Sequence, residues 1–289
     1  MELYPLRVFL TVATEKSFSR AAEKLFRTQP AVSLALQRLE NDLNERLIDR
    51  SAKELSLTDA GRTVLDYARR FENLQAELNN SLTELRDNSA GRLTIGANES
   101  TTLYLLQHIE RYRRKYPNVK VQVRRSLSSK IPNEILDGNL ELGVISYNPH
   151  DDRLISKVIY TDALAFIVSP QHRLADRTEI SIRDLGSETF IAHNVLSPYR
   201  EVVLREFQRH QVPLNMDIEM PTVETIRKLV VANLGVAFLP RMCVEAELGQ
   251  GQLRAIQVKE IAVERKIHLL KPSRRGLSYA AGAFLELLG

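Results

Sequence analysis

The stretch SRAAEKLFRTQPAVSLALQRLE, residues 19–40, decides how the N-terminal part of this chain is read. It divides into two short helical patterns around a break at Phe26-Arg27-Thr28. Ser17 or Ser19 suits the N-cap of the first helix, whose apolar face is Ala21, Ala22 and Leu25. Thr28 suits the N-cap of the second, with Pro30 in its first turn, where a missing N–H costs nothing. Its inward face is Ala31, Val32, Ala35, Leu36 and Leu39. Two helices touching at small residues, the second with a polar N-terminal end, spell a helix-turn-helix that lays its second helix in a DNA major groove. Gln29, Ser33 and Gln37 both donate and accept and so suit base edges. Arg20, Arg38, Arg50 and Lys53 suit phosphates or the minor groove, and Pro30 and Leu34 complete the candidate DNA-contacting set.

Upstream, Pro5 with Leu6, Phe9, Leu10 and Ala13 at helical spacing predicts a preceding helix. Downstream, residues 47–57 set two apolar flanks around a polar tip, a short β-wing, and Thr58-Asp59 caps a new helix. In that helix Leu57, Ala60, Val64, Tyr67, Phe71, Leu74, Leu78 and Leu85 follow 3-4 spacing, with Ser81 breaking one position. The pattern predicts a coiled-coil seam, with Val64, Tyr67, Phe71, Leu74, Leu78 and Leu85 as dimerisation residues. The alternative is a helix packed on its own domain. Breaker residues at 87–91 end it.

Net charge does not identify the function. The chain carries 40 Lys+Arg against 36 Asp+Glu, yet the first 90 residues come to about neutral by count. Among its 289 residues, 44% hydrophobic and 26% charged, none of the apolar runs reaches the roughly 18 residues of a membrane span. The N-terminus lacks a secretion pattern, and a lone cysteine, Cys243, fits a reducing cytoplasm and a buried structural role.

From residue 91 strand and helix patterns alternate. Strands are expected at Leu93–Ala97, Val119–Val123, Leu140–Ile145 and Ala163–Val168, with helices at Thr101–Lys115, around Ser129–Asp137, at 199–210 and at Thr222–Ala232. Such units predict a parallel α/β sheet. Residues 135–145 and 229–239 both run helix, Asn/Gly stop, strand, a weak echo that suggests two related lobes with a ligand cleft between them.

The chain resembles the LysR-type transcriptional regulators. Ala21-Ala22, Leu25, Gln29–Ser33, Leu39-Glu40, Leu43, Leu47, Arg50, Leu57-Thr58 and Ala60-Gly61 follow that family's N-terminal signature, and Gly138, Leu140–Ile145 and Leu234–Pro240 resemble its effector-domain landmarks. The resemblance implies a winged helix-turn-helix over 1–58, a linker helix over 59–90 and a two-lobed, periplasmic-binding-protein-like effector domain over 91–289. Lobe one is expected at 91–162 and 267–289, lobe two at 163–266. It further implies a homodimer or homotetramer on double-stranded promoter DNA, contact with RNA polymerase and a small-molecule effector. The chain departs from the family at the wing, where Ala52, Lys53 and Glu54 replace glycine and extra arginines, and in the recognition helix, where Leu34 and Ala35 stand at places often polar; direct base readout is then thin and DNA shape is expected to carry more of the specificity.

Family precedent puts effector contacts after the first strand of lobe one, here Asn98, Ser100 and Thr101. Ser126, Ser128 and Ser129 form a second helix start, and His193, Ser197, Arg200 and Thr222 are candidates from lobe two. Each hydroxyl alone is an ordinary cap; together, with Lys130 and Arg200 nearby, they suggest a small carboxylate or other anion. Nothing points to catalysis, a cofactor or a metal: the six histidines lack metal-ligand spacing, cysteines are not paired, and GxSxG, GxGxxG and Walker sequences are absent. The rival readings are a solute-binding receptor or an enzyme on the same α/β fold.

Overall fold

The computed structural model describes residues 3–49, 55–86, 91–195 and 197–288, the side chains of 81 and 83–86 excepted. It forms two compact units.

The first unit contains α1 (Leu3–Glu15), α2 (Phe18–Lys24), α3 (Gln29–Leu43), a wing of β1 (Ile48–Asp49) and β2 (Ser56–Leu57), and α4 (Asp59–Arg86). Ser17 caps α2, its hydroxyl accepting from the Arg20 N–H, and Thr28 caps α3 by accepting from Ala31 N–H. Asn44, left-handed at φ 52°, ends α3, a conformation its short polar side chain tolerates. The core gathers Leu6, Phe9 and Val12 of α1, Ala21 and Ala22 of α2, Val32, Ala35, Leu36 and Leu39 of α3, and Leu47 and Ile48. Each fully buried Leu or Phe contributes about 1.5–3 kcal/mol. Ala31, expected inside, is exposed in the first turn of α3, where Val32 beside it carries the burial.

Besides the apolar packing of Leu47, Ile48, Leu55 and Leu57, two close approaches fix the root of the wing to this core. The Glu40 carboxylate, buried at the end of α3, accepts from Leu47 N–H at 2.9 Å and Ile48 N–H at 3.4 Å. Gly61, in the first turn of α4, faces the Leu47 carbonyl so closely that a Cβ there would lie 2.0 Å from its oxygen. Only glycine allows that approach.

The second unit runs β3 (Gly91–Ala97), α5 (Glu99–Lys115), β4 (Val119–Arg125), α6 (Ile131–Leu136), β5 (Leu142–Ile145), β6 (Leu154–Val168), β7 (Glu179–Ile180), β8 (Thr189–His193), α7 (Pro198–Arg209), β9 (Asn215–Met220), α8 (Val223–Val231), β10 (Ala237–Pro240), α9 (Glu245–Gly249), β11 (Arg254–Val258), β12 (Glu264–Pro272) and α10 (Tyr279–Leu288). The sheet order is β4-β3-β5-β12-β6-β11-β7, with β10 also on β6 and β8-β9 separate.

The expected all-parallel sheet is corrected. β3, β4 and β5 are parallel, but β6 and β12 run antiparallel through a long ladder from Glu264↔Ala163 to Pro272↔Leu154. At Leu164 the partners of β6 change to β10 and β11, so one 15-residue strand serves both lobes. Its first nine residues, with Ser156, Lys157 and Asp162, lack a continuous apolar signal, which is why only 163–168 read as strand. The helix expected from Ser129 begins at Ile131: Pro132 lacks the N–H that a helix interior requires, so it must lie within the first turn.

Candidate functional site

In the first unit Gln29, Pro30, Leu34, Gln37 and Arg38 are exposed along one face of α3, and Ser33 is half-buried among them. The opposite face of the same helix is core. Ser19 donates to the Gln29 side-chain oxygen at 3.2 Å, which fixes that amide and leaves its NH2 outward. The Arg20 guanidinium donates to the Glu15 carbonyl, beside the start of this face. Arg50 and Lys53 lie outside the described residues.

On α4, Val64 is half-buried against the unit's own core, whereas Tyr67, Phe71, Leu74 and Leu78 are exposed. Leu82, absent from the expected seam, is exposed as well and continues the row one residue beyond Ser81. The Leu85 side chain lies outside the described set. A row of large apolar side chains on a helix with mostly polar neighbours has no cover within its own unit.

The second unit holds a cavity of about 460 Å³. Its polar end is built from the start of α5 and from β12; its apolar wall is Leu164, Phe190, Val203, Met216 and Phe238. Of the residues expected to hold a ligand, Asn98, Ser100, Ser126, His193, Ser197 and Arg200 line it. Thr101, Ser128, Ser129 and Thr222 do not. Thr101 is fully buried behind the wall and donates to the Val144 carbonyl at 2.8 Å. Ser128 accepts from the Asn98 amide at 2.7 Å and so orients a lining residue, while Ser129 sits in the turn before α6. Thr222 caps α8 through Thr225 N–H.

At the polar end Arg265 is 3% exposed and paired with Asp162 at 2.6 Å. The other Asp162 oxygen accepts from Met242 N–H at 3.2 Å. The Arg265 guanidinium also donates to Ser100 Oγ at 3.3 Å and stacks over Tyr199, 4.8 Å from the ring centre. The Tyr199 hydroxyl donates across to the Ser146 carbonyl. Arg200 donates to the His193 carbonyl at 2.7 Å and pairs with Glu219. His193 Nδ1 accepts from Val195 N–H at 3.0 Å, so in the neutral ring Nε2 carries the proton. Among the described residues no cluster of His, Cys, Asp or Glu is suited to a metal ion, and no helix is long and apolar enough to cross a membrane. Burial pushes the Cys243 thiol up to about 12.

Residues 3–62 match the family described as bacterial regulatory helix-turn-helix protein, lysR family, and residues 86–289 match the LysR substrate binding domain. The chain belongs to the LysR family. It is 33% identical over 286 residues to a probable RuBisCO transcriptional regulator of Chlorokybus atmophyticus, covering 96% of this chain and 91% of that one. Its fold matches CbnR, a LysR-family regulator solved in complex with target DNA, with a TM-score of 0.76 at 18% identity over 100% of this chain and 99% of that one. The CcmR regulatory domain of Synechocystis, solved with 2-PG, matches with a TM-score of 0.61 at 22% identity over 68% of this chain and 95% of that one.

In this LysR-family chain the sequence reading missed Arg265, Tyr199 and Glu99, all of which line the cavity. Arg265 stands between Glu264 and Lys266 and reads as surface charge. Its phase was the available signal: it alternates with the apolar Ile267 on one face of β12. What buries it is the register that sets it opposite Asp162 on β6.

Proposed function

We propose that this chain is a homodimeric, cytoplasmic transcription regulator that reads promoter DNA through α3 and is switched by a small acid held in the cleft of its second unit. Gln29, Ser33 and Gln37 meet base edges, with Pro30 and Leu34 alongside; Arg20, Arg38, Arg50 and Lys53 meet phosphate or the minor groove. The supporting observation is α3 itself: one face is core, the other a fixed, exposed row of side chains suited to a major groove. Tyr67, Phe71, Leu74, Leu78 and Leu82 of α4 pair with a second copy, giving two recognition helices for two half-sites. Arg265, His193, Arg200 and Ser100 favour an anionic effector, and the chain acts by binding rather than by catalysis.

Footprinting on DNA upstream of its own gene and of RuBisCO genes, the targets named for its relatives, tests the reading. Protection of a two-half-site sequence, weakened by salt and lost in Arg38→Ala, is expected. Equal affinity for that DNA and random competitor would remove the DNA-reading role, and a strict monomer in light scattering would remove the α4 pairing.

A further inference from the structure

The cleft already contains an acid, and it belongs to the protein. Glu99 opens α5, and its carboxylate crosses the cleft: Oε1 accepts from Val223 N–H at 2.9 Å. That N–H is the first of the nine-residue α8, where the Thr222 cap serves Thr225 instead. A first-turn amide has no acceptor within its own helix, so it takes one from outside, preferably an anion. The other oxygen, Oε2, lies 3.5 Å from His193 Nε2, the protonated ring nitrogen, and 3.5 Å from the Arg125 guanidinium. One carboxylate thus collects a helix terminus, an imidazole N–H and a guanidinium from three separate segments.

Beside it, Arg265 lines the same cavity with its Nε–H buried and without an acceptor among the described residues. Its charge is shared with Asp162 on one side only. The donors here exceed what the chain supplies to them, while the remaining wall of Phe190, Phe238, Met216 and Val203 is apolar.

We propose that Glu99 is a tethered stand-in for the effector's acid group. The effector is an organic acid with an apolar body. Its carboxylate or similar oxyanion takes the Val223, His193 and Arg125 donors and displaces Glu99, while the body lies on the Phe190–Phe238 wall. Exchanging one carboxylate for another changes the donor contacts little, so selectivity resides in the body: small hydrophilic acids gain little from the exchange, and apolar acids gain the wall. The proposal rests on the reading of this cleft as the effector site.

Amide hydrogen exchange at Val223 in the full-length protein tests it by chemical rescue. In Glu99→Ala the amide is expected to exchange about tenfold faster than in the original chain, the equivalent of one hydrogen bond. Acetate should restore protection in the variant and leave the original chain unchanged. Acetamide should do nothing, and 3-phenylpropionate should act at lower concentration than acetate. If acetate fails to slow exchange in the variant, or phenylpropionate is no better than acetate, the proposal is overturned. Should Glu99→Ala not fold, Glu99→Gln, which keeps the shape without the charge, is expected to bind 3-phenylpropionate more tightly than the original chain; equal or weaker binding overturns the proposal. A protein that footprints its DNA and responds to some other metabolite, yet shows no rescue, loses this inference alone. One that binds no small molecule at all in the cleft loses the effector reading itself.

Discussion

The two candidate sites are assembled in opposite ways. The α3 face draws its side chains from ten consecutive positions, 29–38, on one helix. The cleft draws on the start of α5, the end of β4, β8 and α7 and, through Arg265, a strand about 165 residues further along from Ser100, as counted between the two hydrogen-bonded partners. A site on one helix depends on caps and a buried opposite face, both local. A site between lobes depends on strand register, which no local pattern states. Its polar groups are also held by burial, and therefore fail harder when one is removed.

The largest expected effect tests that last statement. Arg265→Met leaves Asp162 buried beside an apolar side chain, and a half-removed buried pair typically costs about 3–5 kcal/mol. Urea denaturation should show that loss in the second unit, and Arg265→Met with Asp162→Leu should recover much of it. A loss below 1 kcal/mol, the scale of exposed pairs, would mean that the pair is solvated and the contrast between the sites is false. Next, Glu40→Ala strips the acceptor from two wing amides and should cost about 1–3 kcal/mol in the first unit, read from its melting transition. Thr28→Ala removes a single cap and should cost about 1 kcal/mol, with helix content measured by circular dichroism otherwise unchanged. The smallest effect at neutral pH concerns Cys243. Its thiol is raised from an ordinary 9.0 to about 12, so its contribution to stability is complete below pH 9 and declines as pH rises from 9 towards 12. Iodoacetamide at pH 8 should leave it unlabelled in folded protein and label it in urea; rapid labelling of folded protein would contradict its burial.

The same contrast explains what could be read from the amino-acid sequence. Ser17, Thr28 and Thr58 act as caps, and the inward face of α3 matches its pattern except at Ala31, because caps and helical periodicity are local properties. In the cleft, Asn98 and Ser100 were legible through the family resemblance, and Ser197 and Arg200 because they open a helix, with His193 shortly before it. Thr101, Ser128 and Thr222 carry the same signal but spend it inside the chain, as a hydrogen bond to a carbonyl, a support for Asn98 and a plain cap. Nothing in the residue type separates a cap that faces a cavity from one that faces the core. Arg265 and Glu99 show the converse: no local pattern marks either for the cleft, and the register of β6 and β12, and the approach of α8, give each its partner.

The contact between Gly61 and the Leu47 carbonyl carries a mechanical consequence. With no side chain between them, the first turn of α4 and the root of the wing have no slack to take up relative motion. In a pair of chains joined along α4, a small change in the crossing of the two helices becomes a displacement at each wing, lengthened by the distance from the axis. Under the proposed pairing along α4 and contact of the wings with DNA, the glycine is the clamp of a lever whose travel would be read there.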